Sequence, residues 1–172
     1  MINIKTMVYL ADFDKGHIDK TFEWIQDPEL RHSFLMRGIV SYDNHVEYFK
    51  NVLRDHTRKI YAIFYEQLHV GNCGIKHLNL KAQSAEVWIY IGENSLRKKG
   101  IGDAALKLLL RKCFNDLSLE MVYLHVADFN FSAIRLYEKN GFIKVNFQDN
   151  AEEWVSCGCK VLRLELGRSG WM

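Results

Sequence analysis

The chain is 172 residues long, with 48% apolar residues, 26% charged residues and a formal net charge of +2. So small a net charge, with no basic cluster that alternates with aromatic residues, excludes nucleic acid as an expected partner. No apolar run approaches a membrane span and no apolar signal region begins the chain, so we expect no membrane partner and a cytoplasmic location.

The composition also indicates one domain with a small-molecule partner. The sequence contains one proline and no linker rich in Pro, Ser or Gly, which predicts a single domain over residues 1–172, with 167–172 as a loose tail. The cysteines at 73, 113, 157 and 159 lack the spacing of a zinc site. We therefore predict no metal site and four reduced thiols. We leave open whether the protein forms a homodimer.

Periodicity predicts strands and helices in the following chain order. The segments are a strand over 7–10, a helix over 18–26 ended by Asp27-Pro28, a helix over 42–55, strands over 60–65, 70–76 and 85–91, a helix from 101, a strand over 122–126, a capped helix within 130–142, and strands over 142–147 and 160–166.

The loop between the strand over 85–91 and the helix from 101 has the character of a phosphate cradle. Its residues are Arg97-Lys98-Lys99-Gly100-Ile101-Gly102, in which glycines let backbone N–H groups face an anion at a helix N-terminus. A P-loop needs Lys-Ser/Thr after the second glycine, whereas Asp103 and Ala104 follow; a dinucleotide fingerprint needs a third glycine where Ala105 stands. Nucleotide hydrolysis and nicotinamide binding are therefore disfavoured.

A second motif lies thirty residues further on, in Asn130-Phe131-Ser132-Ala133-Ile134-Arg135-Leu136-Tyr137-Glu138-Lys139-Asn140-Gly141-Phe142. Asn130 suits an N-cap and Gly141 suits the left-handed residue that ends a helix. Helical spacing turns Tyr137 inward, where a plain core role is the simplest alternative. Together the two motifs resemble the GNAT superfamily of acyl-CoA N-acyltransferases, and the second matches its signature Asn-x-x-Ala-x-x-Leu-Tyr-Glu-Lys-x-Gly-Phe throughout.

This resemblance implies an α/β (α+β) fold with one GNAT-like domain, in which a mixed sheet of about seven strands is flanked by about four helices. The family's two central strands splay apart and form a notch for the pantetheine arm of acetyl-CoA. It implies coenzyme contacts from the backbone near Ile89, Tyr90 and Ile91, and from a further set comprising Arg97, Lys98, Lys99, Gly100, Ile101, Gly102, Asp103, Asn130 and Tyr137. In the family, the tyrosine matching Tyr137 is commonly the acid that protonates the departing thiolate.

The reaction also needs a group that takes a proton from the attacking amine. Glu86 is our first choice because it shares the side-chain parity of Trp88 on the strand beside the thioester. A strand glutamate is more often solvated or ion-paired, and His77, His125 or a water relay are the alternatives.

The family resemblance further implies an acceptor pocket built by the first two helices and the segment between them. We expect it to include Trp24, Arg31, Met36 and Arg37, together with His77 and Trp88. The string Trp-x-x-Asp-Pro-Glu-x-Arg resembles the branch of ribosomal-protein N-terminal, polyamine and amino-sugar-nucleotide acetyltransferases. Cations mixed with aromatics suit a phosphorylated, ring-bearing acceptor, so a nucleotide-linked amino sugar is the first hypothesis. A protein α-amine, a polyamine, and a non-catalytic acyl-CoA-binding domain are the alternatives, and retention of Tyr137 argues against the last.

Overall fold

A mixed seven-stranded sheet forms the centre of the protein. The structure is a computed structural model that describes residues 7–146 and 158–171. The strands are β1 (Val8–Asp12), β2 (Lys59–Tyr65), β3 (Leu68–Asn79), β4 (Ser84–Ile91), β5 (Met121–Ala127), β6 (Ile143–Val145) and β7 (Val161–Gly167). Their order across the sheet is β1-β2-β3-β4-β5-β7-β6. This confirms the predicted fold class; residue 147 of the predicted strand over 142–147 lies outside the described residues.

Within residues 7–146 and 158–171, five α-helices flank this sheet, one more than the sequence predicted. They are α1 (Ile18–Trp24), α2 (Pro28–Ser33), α3 (Tyr42–Val52), α4 (Ile101–Arg111) and α5 (Phe131–Lys139). The additional helix, α2, begins where the first helix was expected to end, because Asp27 caps it through its side chain and Pro28 stands at the first helical position. Proline needs no hydrogen-bond acceptor there and its fixed φ suits the helix.

The core lies on both faces of the sheet. Successive residues of β2 alternate between two clusters: Tyr61 and Ile63 pack with the helix α4, whereas Ile60 and Ala62 pack with α1 and α3. This alternation is the period-2 geometry of a strand that is buried on both faces.

The functional feature of the sheet is a split between β4 and β5. These two strands run parallel and pair only through Ser84 with Met121, Ala85 with Val122, and Glu86 with Tyr123. Beyond Glu86, β4 stays paired with β3 on its other side up to Ile91. The β4 edge that faces β5 is therefore not paired with β5 over its last five residues.

Two expectations about the chain need correction. Residues 167–171, predicted as a loose tail, pack onto the body: Arg168 donates to the carbonyls of Phe114 and Leu119, and the Trp171 ring lies 5.1 Å from that of Phe114. Cys73 and Cys113 are buried free thiols, but Cys159 is disulfide-bonded, which differs from the prediction of four reduced thiols. Over the described ranges, no helix is long and apolar enough to cross a membrane.

Candidate active site

The predicted phosphate cradle is a turn of left-handed residues that opens directly into α4. Lys98 and Gly100 have positive φ values of 61° and 83°. The first backbone hydrogen bond of α4 runs from Ala104 N to Gly100 O at 3.1 Å, so the amides of Ile101, Gly102 and Asp103 precede the first helical hydrogen bond. Such N-terminal amides, with the helix dipole behind them, form an anion site.

The side chain of Arg97 is engaged with acidic residues and backbone carbonyls outside the cradle turn. Its guanidinium donates to Asp27 at 2.8 Å and Glu29 at 3.2 Å, and also to the carbonyl oxygens of Ile91 at 2.9 Å and Gly92 at 3.4 Å. Asp27 and Glu29 are therefore the charged partners of this guanidinium, and its contact with a phosphate stays a prediction. The exposed side chains of Lys98 and Lys99 lie beside the turn.

The side chain of Asp103 is also committed elsewhere. Its carboxylate accepts from Lys107 at 2.8 Å and Asn140 at 2.9 Å, and it lies 3.1 Å from the ammonium of Lys139. Burial would raise the pKa of Asp103, but these three partners lower it to about 2. Asp103 thus joins the start of α4 to the end of α5, and only its backbone amide faces the cradle.

A cavity of about 160 Å³ lies in the split between β4 and β5. We call it the notch cavity. Ile89, Glu86, His125, Asn130 and Tyr137 all line it. It thus brings the predicted strand over 85–91 together with the Asn130–Phe142 motif, which lies about forty residues further along the sequence.

Two of these residues are placed by α5. Asn130 accepts from Ala133 N at 3.2 Å and so caps that helix, as predicted. The Tyr137 side chain is only 6% exposed, and burial raises its pKa, so the phenol keeps its proton at neutral pH. Among the described residues it makes a ring contact with Phe142 and no hydrogen bond.

Glu86 is the centre of a charged cluster at the wall of the notch cavity. Its carboxylate contacts His125 Nδ1 at 3.0 Å, Lys76 Nζ at 3.1 Å and His77 Nδ1 at 3.1 Å, while the residue is only 5% exposed. Burial alone would raise the pKa of Glu86, but His125 and Lys76 outweigh burial and lower it. The carboxylate is therefore ionised and oriented, which favours a role in holding His125 as much as in taking a proton itself.

A second and larger cavity, of about 370 Å³, adjoins the first. We call it the acceptor cavity. Its volume falls in the range of about 300–1,000 Å³ that is typical of small-molecule sites. Phe34, Lys76 and Trp88 line both cavities, so these three residues mark their junction. The remaining lining residues are Thr21, Ile25, Leu30, Met36, Val40, Asn44, His45, Tyr48, Phe49, Ile60 and Tyr90.

Of the residues predicted to bind the acceptor, Met36 and Trp88 line the acceptor cavity, whereas Trp24 and Arg31 do not. Trp24 is 5% exposed and packs beside His69 and Tyr90, so it is a core residue outside the acceptor cavity. Arg31 donates to the carbonyls of Ile25 and Gly38 and ties down the segment around α2.

Arg37 and His77 are also displaced from the expected positions. Arg37 is exposed and is absent from the lining of both cavities. The side chain of His77 is 58% exposed and meets Glu86 from outside the cavities. The cations that suggested a phosphorylated acceptor therefore do not line the acceptor cavity.

The sequence analysis missed Lys76 and a buried polar network beneath the acceptor cavity. Asn72 donates to Thr21 Oγ1 at 2.8 Å and to the Tyr90 hydroxyl at 2.7 Å, and it lies 2.8 Å from His69 Nε2. Burial raises the pKa of Tyr90. Lys76 pairs directly opposite Glu86 in the β3–β4 register, and opposite charges on facing strands are a signal that could have identified it.

This arrangement is an anion-binding helix start that leads into a split sheet with a buried tyrosine and an oriented carboxylate. The family model for the acetyltransferase (GNAT) domain matches residues 8–143, which span all of these features. The chain belongs to the GNAT acetyltransferase family. It is a GNAT-type N-acetyltransferase, and over the described residues no group of three or more His, Cys, Asp and Glu residues is placed to hold a metal.

Individual relatives agree with this family. The chain is 23% identical over 142 residues to the acetyltransferase PseH of Campylobacter jejuni. The aligned region covers 83% of this chain and 85% of that protein. It is 23% identical over 156 residues to the N-acetyltransferase 9-like protein of Caenorhabditis briggsae, with 84% and 78% covered. These identities are too low to transfer an acceptor.

The fold has a well-matched counterpart among solved structures. The spermidine N-acetyltransferase of Vibrio cholerae, in complex with CoA and spermine, superimposes with a TM-score of 0.83 at 21% identity, covering 96% of this chain and 98% of that one. The same enzyme in its dodecameric, intermediate state gives a TM-score of 0.77 at 22% identity, with 97% of each chain covered. At this identity the likeness concerns the fold.

Proposed function

We propose that this GNAT protein transfers acetyl from acetyl-CoA to a primary amine of a small molecule, and that a nucleotide-linked amino sugar is the best candidate acceptor. The observation that carries the proposal is the junction of the two cavities. The notch cavity holds Tyr137 and Glu86, the acceptor cavity offers a ring-lined space, and the two share Phe34, Lys76 and Trp88.

The coenzyme fits the residues that are present. The amides of Ile101, Gly102 and Asp103 would hold its pyrophosphate, and Lys98 and Lys99 would add positive charge. A Cβ built on Gly102 meets only Ile91 Cγ1 and Leu136 Cδ2, each at 3.8 Å, so no atom crowds this residue and a ligand can approach its backbone. The unpaired β4 edge at residues 87–91 suits the amides of the pantetheine arm, and the bound coenzyme supplies an activated acetyl thioester.

Side chains of this protein would accept and donate the protons of the transfer reaction. Glu86, which holds His125 by its Nδ1 atom, forms with it the pair that would accept a proton from the acceptor ammonium. Tyr137, kept neutral by its buried position, would donate to the departing sulfur. A backbone N–H near Ile89 or Tyr90 would polarise the thioester carbonyl, a role that needs no particular side chain.

The acceptor class is argued from charge and from aromatic surface. Among the described lining residues of the acceptor cavity none is a carboxylate, and Lys76 contributes a positive charge. Burial lowers the pKa of His45, so this residue is neutral. Beyond the amine that reaches Glu86, the other ammonium groups of a polyamine would meet no countercharge in the acceptor cavity, whereas a sugar or base ring can stack on Trp88, Phe34 or Tyr48.

The proposal is tested by thiol release from acetyl-CoA. Purified protein is incubated with acetyl-CoA and, in turn, a UDP- or dTDP-linked 4-amino sugar, spermidine, and a peptide with a free N-terminus, while a chromogenic reagent follows the thiol. We expect repeated turnover with the nucleotide sugar only. Turnover with spermidine or the peptide instead would replace the acceptor, and no turnover with any amine would favour the non-catalytic acyl-CoA-binding alternative.

A further inference from the structure

Lys76 places a primary amine at the point where acetyl transfer is proposed to occur. It lies on β3 directly opposite Glu86 of β4, and its Nζ is 3.1 Å from Glu86 Oε1. The Lys76 side chain is 30% exposed, whereas that of Glu86 is 6% exposed. The ammonium therefore stands between a buried carboxylate and open space.

The open space beside Lys76 is the junction of the two cavities. Lys76 lines the notch cavity together with Tyr137 and Ile89, and it lines the acceptor cavity together with Trp88 and Tyr90. Among the described residues that line either cavity, it is the only lysine. An acceptor amine would have to reach this same region and give its proton to this same carboxylate cluster.

We propose that Lys76 is a self-acetylation site, modified by acetyl-CoA bound in the notch when no acceptor occupies the second cavity. This inference depends on the proposed function, because the acetyl donor must lie beside Ile89 and Tyr137. It assigns to the protein a second reaction, in which the acceptor is a side chain of the same chain.

The protons and bonds of this step balance without any further reactant. Glu86 and His125 take one proton from the Lys76 ammonium, which frees the Nζ lone pair to attack the thioester carbonyl carbon. A C–N bond forms and the C–S bond breaks. The sulfur takes the phenol proton of Tyr137, and the second proton that the nitrogen loses restores the phenol. The products are Nζ-acetyl-Lys76, coenzyme A thiol and one proton released to solvent.

The modification would change the active site in two ways. The amide product carries no charge, so the ion pair between Lys76 and Glu86 is lost while His77 and His125 still face the carboxylate. The added acetyl group also occupies part of the junction between the cavities. We therefore expect acetylated protein to turn over its acceptor more slowly, which would couple activity to acceptor supply.

The experiment follows site-specific acetylation by mass spectrometry. The full chain is incubated with acetyl-CoA and no amine, and peptides containing Lys76 and Lys81 are quantified over time; Lys81 is exposed and lies in the turn after β3, so it reports unassisted chemical acetylation. Calorimetric binding of acetyl-CoA is measured on the same preparation. Lys76→Arg keeps a cation beside Glu86 and serves as the matched variant, and excess free CoA serves as a competitor for the notch.

We expect Lys76 to be acetylated at least about tenfold faster than Lys81, with thiol release limited to about one per chain. Excess CoA and the Tyr137→Phe substitution should slow the acetylation of Lys76 but leave that of Lys81 unchanged. Lys76→Arg should abolish the release of about one thiol per chain. If the protein binds acetyl-CoA but Lys76 reacts no faster than Lys81, the inference is wrong and the proposed function stands. If acetyl-CoA does not bind, both are rejected.

Discussion

Replacing Gly92 with alanine tests whether Trp24 is a core residue or a ligand-binding one. A Cβ built on Gly92 would lie 2.0 Å from Trp24 Cδ2, 2.4 Å from Cγ and 2.5 Å from Cε2. Real Cβ contacts are essentially never shorter than 3.0 Å, so the indole must retreat by at least about 1 Å. The centroid of the indole ring lies 4.7 Å from that of His69 and 6.3 Å from that of Tyr90, so these two rings limit how far the indole can move.

The expected cost of Gly92→Ala is about 2–3 kcal/mol in the free energy of unfolding, which is typical of forcing extra carbon into a packed core. Gly92 does not have a positive φ in this structure, so the cost is steric and not a backbone penalty. For a domain of this size such a loss lowers the Tm by about 4–12 °C. The smaller unfolded-state entropy of alanine offsets only about 0.4–1 kcal/mol of it.

The assay is urea unfolding followed by tryptophan fluorescence, with Gly102→Ala as the matched control. Gly102 lies in α4, and the same added methyl there meets only one carbon of Ile91 and one of Leu136, each at 3.8 Å. We therefore expect that variant to be as stable as the wild type or more stable by up to about 1 kcal/mol. A Gly92→Ala variant within about 0.5 kcal/mol of the wild type would refute the packing of Trp24 described above.

Three further outcomes are expected. Tyr137→Phe should lower kcat about tenfold to a thousandfold while calorimetry finds CoA affinity nearly unchanged, as befits loss of one proton donor; unchanged kcat would remove its role as the acid. Glu86 has a lowered pKa, so its stabilising contribution is present above its ordinary pKa of 4.5 and is lost as the pH falls through its folded-state value. Urea unfolding should therefore show that the wild type loses its advantage over Glu86→Gln as the pH falls below about 4.5. Arg97→Gln should raise the acceptor KM more than it weakens CoA binding in calorimetry, whereas the reverse would identify Arg97 as a phosphate ligand.

The sequence was sufficient for the features that depend on neighbours along the chain. The turn around Gly100, the capped helix that begins after Asn130, and the inward position of Tyr137 all follow from spacings of a few residues. Alternating and helical periodicity likewise placed all seven strands. These are local preferences that agree with the tertiary structure, which is why they could be predicted.

The failures concern side chains whose partners are distant in the chain. Arg97 meets Asp27 across a separation of 70 residues, and a cationic residue beside glycines gives no sign of such a partner. Trp24 was assigned to the acceptor pocket because it lies at the end of the first helix, where the family resemblance implies that pocket, but the absence of a side chain at Gly92 makes room for it in the core. Lys76 was missed because its importance comes from the β3–β4 register, which periodicity alone does not fix.

The contacts of Arg97 also suggest why the coenzyme loop and the acceptor segment should respond to each other. The guanidinium holds the cap residue of α2, Asp27, and the end of β4 at the carbonyls of Ile91 and Gly92. Beyond Asp27, α2 leads to Phe34 and Met36 of the acceptor cavity, whereas Ile91 and Gly92 lead into the phosphate cradle. Arg97→Gln removes this link between α2 and the end of β4, which is why we expect the substitution to act first on the acceptor KM.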